Sequence, residues 1–198
     1  MRGAERFTTS ANVALVGDID LPVILSDIPF DYVLKGMFFG RFIDEAWPLV
    51  AKELIAPPSN GKYHAFEAYP MSDYVRVFDR IARARFPGST REAYRLLARG
   101  EVDVFAATTL GKVTFSMVRD PEVALMRYPE LFGVLSKGPI VSAERPKPKN
   151  VVVTFKRQVG SVEHILGLLE GLVMAFEMTP SVDVDIDEAR RATFSVRW

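Results

Sequence analysis

The sequence predicts an α+β fold: a helical N-terminal half packed on a small antiparallel sheet and closed by a strand–helix–hairpin C-terminus. Three observations lead there. Val151–Phe155 is a β-prone run, and Val162–Phe176 has the broad apolar face of an amphipathic helix. Val182, Val184 and Ile186 then alternate with Asp183, Asp185 and Asp187, and Phe194, Val196 and Trp198 with Ser195 and Arg197. That is the period of two expected of strands with one buried face. Upstream, apolar residues recur mainly at helical spacing, with proline- and glycine-rich breaks between runs.

Taken in order, residues 1–11 read as a flexible leader ahead of one α+β domain over residues 12–198. Val13–Val16 suits a short strand. Residues 20–28 are cut by Pro22 and followed by Pro29, so they allow only short elements. Leu34–Leu54 reads as a long helix, with Phe38, Phe42, Ala46, Val50 and Leu54 on one stripe and Phe39, Ile43 and Trp47 widening it. Pro48 marks a kink or break within it. A loop over residues 56–61 follows. Ser72 is placed to cap a helix reaching Arg85, with Val75, Phe78, Ile81 and Ala82 inward.

After the Phe86-Pro87-Gly88 break, Ser89 and Glu92 have the spacing of a capping box. Gly100 divides the next helical stretch into residues 90–99 and 101–118. Asp120 and Pro121 open a short helix ending at Arg127. Residues 128–138 read as irregular, Ile140–Glu144 as a strand, and the charged, proline-rich residues 145–149 as a hairpin loop.

Totals exclude several function classes. The 198 residues hold 25 Lys plus Arg against 25 Asp plus Glu, so no global basic field favours nucleic acid or anionic lipid. Cysteine is absent, which removes disulfides, thiolate nucleophiles and thiolate metal sites. The N-terminus lacks the apolar run of a secretory signal, and apolar stretches meet charges short of a spanning length. The expected setting is the cytoplasm, without membrane insertion.

Several segments carry a resemblance. Leu34-Lys35-Gly36-Met37-Phe38-Phe39, Tyr69-Pro70-Met71-Ser72, the Phe86-Pro87 break with Arg91-Glu92-Ala93, Phe105–Gly111, Gly167–Gly171 and Val196-Arg197-Trp198 stand in this order. The set resembles an uncharacterised family of about 200 residues, abundant in myxobacteria as many paralogues, over roughly residues 30–198. More distantly, the element order is similar to the fold of haem nitric-oxide sensor, vinyl-reductase-like and vesicle-tethering subunit domains. That likeness implies binding or scaffolding: such relatives hold haem, a small aromatic effector or an acyl chain between helices and sheet, or act in assemblies. In the haem sensors a histidine follows the middle helices. Met126, Arg127, Tyr128, Phe132 and Lys137 stand in that region here, so no haem or other cofactor is expected.

Only two histidines exist. His64 reads as a surface residue and His164 as a surface or boundary residue in the first turn of the C-terminal helix. They lack metal-ligand spacing on one element. Asp183, Asp185 and Asp187 read as a solvated strand face offset by Arg190 and Arg191, without the glycine and closing glutamate of an EF-hand. Ser72, Ser89, Thr108, Thr109, Ser136 and Ser161 stand in no nucleophile elbow. Asp44, Glu67, Glu101 and Glu170 form no recognisable acid–base pair. No catalytic, metal or cofactor residue is assigned.

Two sets of candidate residues remain. Phe38, Phe39, Phe42, Trp47, Phe105, Met117, Leu168 and Leu172 are candidates either for a ligand cavity or for a filled core. Arg76, Arg80 and Arg83 form a basic stripe at i, i+4 and i+7, suited to solvent or to an acidic partner. Gly167 and Gly171 mark a close helix approach, within the chain, across a homodimer or around a ligand. The reading that follows is a noncatalytic cytoplasmic signalling or scaffold module acting through an unknown protein partner or as a homodimer. The alternatives are a sensor for a small hydrophobic ligand and an enzyme with a scattered carboxylate and arginine site.

Overall fold

The computed structural model describes residues 5–10, 12–40, 42–58, 61–157, 160–187 and 189–198. Its C-terminal part is the expected unit. Strand β6 (Asn150–Phe155) leads into helix α7 (Val162–Met174), then the hairpin of β7 (Ser181–Ile186) and β8 (Ala192–Arg197). The main sheet adds β1 (Glu5–Ser10) at one edge and β5 (Val141–Lys147) at the other, in the antiparallel order β1-β7-β8-β6-β5. Val182, Val184, Phe194 and Val196 are fully buried, while Asp183 and Asp185 point to the other face. The alternation in the sequence is therefore the burial pattern of the sheet.

Residues 5–10 of the expected leader are this edge strand, with Phe7 opposite Val184 and Thr9 opposite Val182. The reason is pairing: a free sheet edge takes any extended segment whose inward side chains fit. Residues 1–4 and 11 lie outside the described residues. Val13–Val16 is not a strand, since its residues join turns and loop between β1 and helix α1 (Leu21–Asp27). Asp20 caps α1 by accepting from the Val23 amide at 3.1 Å.

The long helix expected over residues 34–54 is broken. Val33–Lys35 is strand β2, the centre of a second sheet between β3 (Ala68–Pro70) and β4 (Ser136–Lys137). A 3-10 turn over Gly36–Phe38 follows, and only Ile43–Val50 forms helix α2. The Gly36 and Met37 amides donate to the Glu67 and Ala65 carbonyls at 2.9 and 3.1 Å instead of to a helix. A side chain at Gly36 would collide with the His64 carbonyl. Phe42, Ala46, Val50 and Leu54 are nevertheless buried, so the stripe was right and the continuous helix wrong.

Helix α3 (Met71–Arg85) begins one residue before Ser72, without a side-chain cap. Helix α4 (Thr90–Ala107) runs straight through Gly100 and ends at Thr108, which caps α5 (Thr109–Ser116) by accepting from the Gly111 amide at 2.9 Å. Ser89 caps α4 as expected, but the Glu92 carboxylate accepts from the Leu15 amide at 2.7 Å and so anchors the N-terminal segment. Helix α6 (Pro121–Leu135) continues past Arg127 and through Pro129 into residues expected to be irregular. Burial of Leu125, Tyr128 and Leu135 outweighs the local proline signal. β5 extends to Lys147, so the hairpin turn is shorter than expected.

Two apolar clusters result. One joins α1, α2, α3 and the first half of α4, and the other joins α6, α7 and the main sheet. Leu168 on α7 packs against both. Helices α4 and α7 form the seam between them. Gly167 faces the Arg95 backbone and Ala98, and Gly171 faces Val102 and Arg99.

Candidate functional site

The α4–α7 seam opens on one side into an inner cavity of about 80 Å³. Glu101, Val102 and Phe105 of α4 form one wall, and His164, Leu168 and Leu172 of α7 the next. Tyr128, Leu131, Phe132 and Leu135 of α6 close it opposite, with Leu34, Phe38 and Tyr74 across the end. A neighbouring cavity of about 60 Å³ shares Leu34, Tyr74, Phe132 and His164. A larger open groove of about 390 Å³ runs along β2 and the end of α6, over residues such as Lys35, Gly133 and Ser136. It lacks the aromatic enclosure of the inner pair.

Four of the eight cavity candidates, Phe38, Phe105, Leu168 and Leu172, line the 80 Å³ cavity. The other four do not. Phe39 and Phe42 are filled core, with Phe39 stacked on Tyr63 at 4.1 Å and Phe42 edge-on to Phe78 at 6.0 Å. Trp47 packs over Gly61. Met117, beyond the end of α5, is 57% exposed. Helical spacing does not say which buried faces meet around a cavity and which fill the core.

The polar part of the site was not foreseen. Glu101 is buried, and both its oxygens are engaged: Oε1 accepts from the Tyr74 hydroxyl, and Oε2 pairs with His164 Nε2 at 3.0 Å. His164 Nε2 also lies 3.4 Å from the Tyr74 oxygen, and its ring stands edge-on to Phe78 at 4.7 Å. His164 is thus the boundary residue expected, but its ring turns inward to a carboxylate. Tyr128 lines the same cavity, and its hydroxyl is buried with no hydrogen-bond partner. Burial first, and then the charge of Glu101, push its pKa well above the usual phenol range, so it stays a neutral O–H group. The spacing of Glu101 and His164 gives no sequence signal, since the α4–α7 seam alone brings them together. Gly167, one turn after His164, did mark that seam.

The remaining candidates are held within the chain. Arg76 lies 3.6 Å from Asp73, Arg80 pairs with Glu53 at 2.8 Å, and Arg83 donates to both Asp79 oxygens at 2.9 Å and to the Ile19 carbonyl. The basic stripe is therefore largely neutralised by neighbouring carboxylates. Gly167 and Gly171 are covered by α4 of the same chain. Behind them, Arg95 is 0% exposed and donates to both Glu170 oxygens at 2.7 and 2.6 Å, while Arg99 adds a 2.8 Å bond. Arg95 also binds the Ser10 and Val13 carbonyls, tying the N-terminal segment to the seam. Such a buried pair requires this degree of satisfaction to be tolerated.

Asp183, Asp185 and Asp187 pair with Arg197, Arg6 and Arg191, while Arg190 pairs with Asp27. His64 is exposed. Among the described residues no three His, Asp or Glu side chains converge as a metal site. Among those residues, no helix is long and apolar enough to cross a membrane.

The family model for the protein of unknown function DUF2378 matches residues 28–198. The chain belongs to this family. No curated protein matches it. Among solved structures it is similar to the unliganded Fe(II) H-NOX protein of K. algicida, with TM-score 0.60, 16% identity, 83% of this chain covered and 96% of that one. The S. oneidensis H-NOX protein in its Fe(II)NO state gives TM-score 0.61 and 12% identity, covering 83% and 98%. A T. tengcongensis H-NOX variant gives 0.60 and 18%, covering 83% and 97%. At these identities the likeness shows a shared fold.

Haem does not fit the site as this chain forms it. About 80 Å³ is far below the roughly 300 Å³ at which pockets for drug-sized ligands begin, and a porphyrin is larger than those. The one imidazole on the cavity is held by Glu101 and wedged against Phe78.

Proposed function

We propose that this protein is a noncatalytic sensor module that takes a small, mostly apolar molecule between α4, α6 and α7. The observation that carries the reading is a partly open cavity with aromatic and leucine walls, behind which Tyr74, Glu101 and His164 bond one another. That combination is the usual chemistry of a small-molecule site. Its size sets the guest. An apolar cavity of roughly 150 Å³ holds benzene, so about 80 Å³ suits roughly three to four non-hydrogen atoms. The H-NOX proteins of the same fold, crystallised with Fe(II) and Fe(II)NO, lend the sensor class some weight.

A second reading, a scaffold that docks a protein partner or a second copy, is favoured by the exposed apolar residues Val113 on α5 and Met117 just beyond it. The two readings divide on one titration. Isobutene, with four carbons, is added to protein carrying methyl NMR labels. The sensor reading predicts saturable shifts centred on Leu131, Leu135, Leu168 and Leu172. Shifts confined to Val113 and Met117, or none, would overturn it in favour of the scaffold.

A further inference from the structure

Three cavities follow one another along α6 and α7. The 60 Å³ cavity meets α7 at Ser161, His164 and Ile165, and the 80 Å³ cavity meets it at His164, Leu168 and Leu172. A third, of about 30 Å³, meets it at Leu172. Helix α6 gives the same order in reverse: the 60 Å³ cavity touches Phe132, the 80 Å³ cavity spans Tyr128 to Leu135, and the 30 Å³ cavity spans Ala124 to Leu131. Two helices that agree on the order make the cavities a row. From Ser161 to Leu172 the row runs about 16 Å, at about 1.5 Å per residue. Together the three volumes hold about seven carbons, on the scale of the roughly 150 Å³ that takes benzene. A space so long with so little room is one chain wide. Its walls are mainly apolar throughout. Leu131 and Phe132, consecutive and half-buried on α6, stand at the two partitions: Phe132 is shared by the 60 and 80 Å³ cavities, and Leu131 by the 80 and 30 Å³ cavities.

We infer that the guest is an unbranched, uncharged hydrocarbon of about five to seven carbons, lying along α7 through the whole row. The inference rests on the sensor reading above and adds the shape and length of the guest. The first three to four carbons fill the 80 Å³ cavity between Phe105 and Leu168, as that reading has it. The remaining carbons pass into the neighbouring cavities as Leu131 and Phe132 turn toward solvent, which their partial exposure allows. A globular isomer of the same carbon count has no such route, because it is wider than one chain. The recognition is therefore by shape, and each added methylene that enters the row adds its own burial.

The n-alkanes from butane to heptane, with neopentane as the globular isomer of n-pentane, make the test. Each is titrated into the unaltered full chain by methyl NMR. Affinity should rise about three- to fourfold per carbon from butane onward, the worth of one buried methylene. n-Butane should shift the methyls of Leu168 and Leu172. The longer chains should add Val75 and Ile165, which line the 60 Å³ cavity alone of the three, or Val118 and Ala124, which line the 30 Å³ cavity alone of the three. Neopentane should bind at least about tenfold more weakly than n-pentane, the worth of the methylenes that find no room. Ala124→Ile, which fills the 30 Å³ cavity from a partly exposed position, should end the gain about one carbon sooner. If n-pentane binds no tighter than n-butane, or neopentane binds as well as n-pentane, the linear guest is overturned while the 80 Å³ cavity stands. If neither isobutene nor any alkane enters the unaltered protein, the sensor reading falls and the inference with it.

Discussion

Gly167→Ala should destabilise the protein although it replaces glycine inside a helix. On an open helix face that change is favourable by about 1 kcal/mol. Here the added methyl would collide with the Arg95 carbonyl oxygen and meet Ala98 Cβ at 2.8 Å. The carbonyl belongs to α4 and is held by the helix, so it cannot rotate aside. Either α4 and α7 separate or their backbones bend. Overpacking of this kind costs about 1–3 kcal/mol, and a backbone obstacle puts this case at or beyond the upper end. After the propensity gain, the net loss is about 2 kcal/mol. For a chain of this size it corresponds to a fall in Tm of roughly 4–8 °C.

Gly133→Ala in α6 is the internal control, because a methyl there meets no heavy atom within 4 Å. It should gain up to about 1 kcal/mol and raise Tm by roughly 2–4 °C. Urea unfolding of the two variants beside the parent gives the comparison. If Gly167→Ala is as stable as the parent, or the two variants move together, the close seam between α4 and α7 is wrong. The position of Glu101 against His164 would then be wrong too.

Three further outcomes follow from the same geometry. Glu170→Gln strips the charge facing the buried Arg95 and should lose about 3–5 kcal/mol in urea unfolding, while a loss under about 1 kcal/mol would mean the pair is not sequestered. Leu172→Ala, at a buried position shared by the 80 and 30 Å³ cavities, should lose about 2–5 kcal/mol and gain binding of benzene, read as a benzene-dependent rise in Tm that the parent lacks. The hydrogen bond from Arg197 holds the Asp183 carboxyl below its usual range. Its stabilisation is therefore present above the unfolded value of about 3.9 and is lost as pH falls through the lower folded value. Asp183→Asn should flatten the urea midpoint across this acidic window by a small amount, because the pair is partly solvated and screened. An unchanged acid slope would remove the pair from the account.

The C-terminal unit was legible because its local signals agree. β7 and β8 alternate cleanly, and Ser161 caps α7 by accepting from the His164 amide. Residues 34–54 were misread because Phe42, Ala46, Val50 and Leu54 face one core from several short elements, and periodicity does not distinguish that from one long helix. The Gly36 contact that breaks the helix is made with residues 64–67, too far along the chain for a local signal. At Pro129 the opposite happened: a strong local breaker was overruled by the burial of Tyr128 and Leu135 on either side.

The apolar half of the site could be read from helix faces, which gave Phe105, Leu168 and Leu172. The polar half could not, since Tyr74, Glu101, Tyr128 and His164 meet only in three dimensions. One clue was present. Arg91, Arg95 and Arg99 recur every four residues, and Glu163 and Glu170 lie seven apart beside Gly167 and Gly171. Matching charges on two faces, one of them marked by small residues, describe a buried seam better than a solvated surface.

The most direct test of a ligand cavity between α4, α6 and α7 is a crystal structure determined under xenon pressure. The account predicts a xenon atom enclosed by Phe38, Phe105, Leu131 and Leu168, with Glu101 still bonded to Tyr74 and His164. A continuous packed interior at that place, with no xenon at saturating pressure, would contradict it.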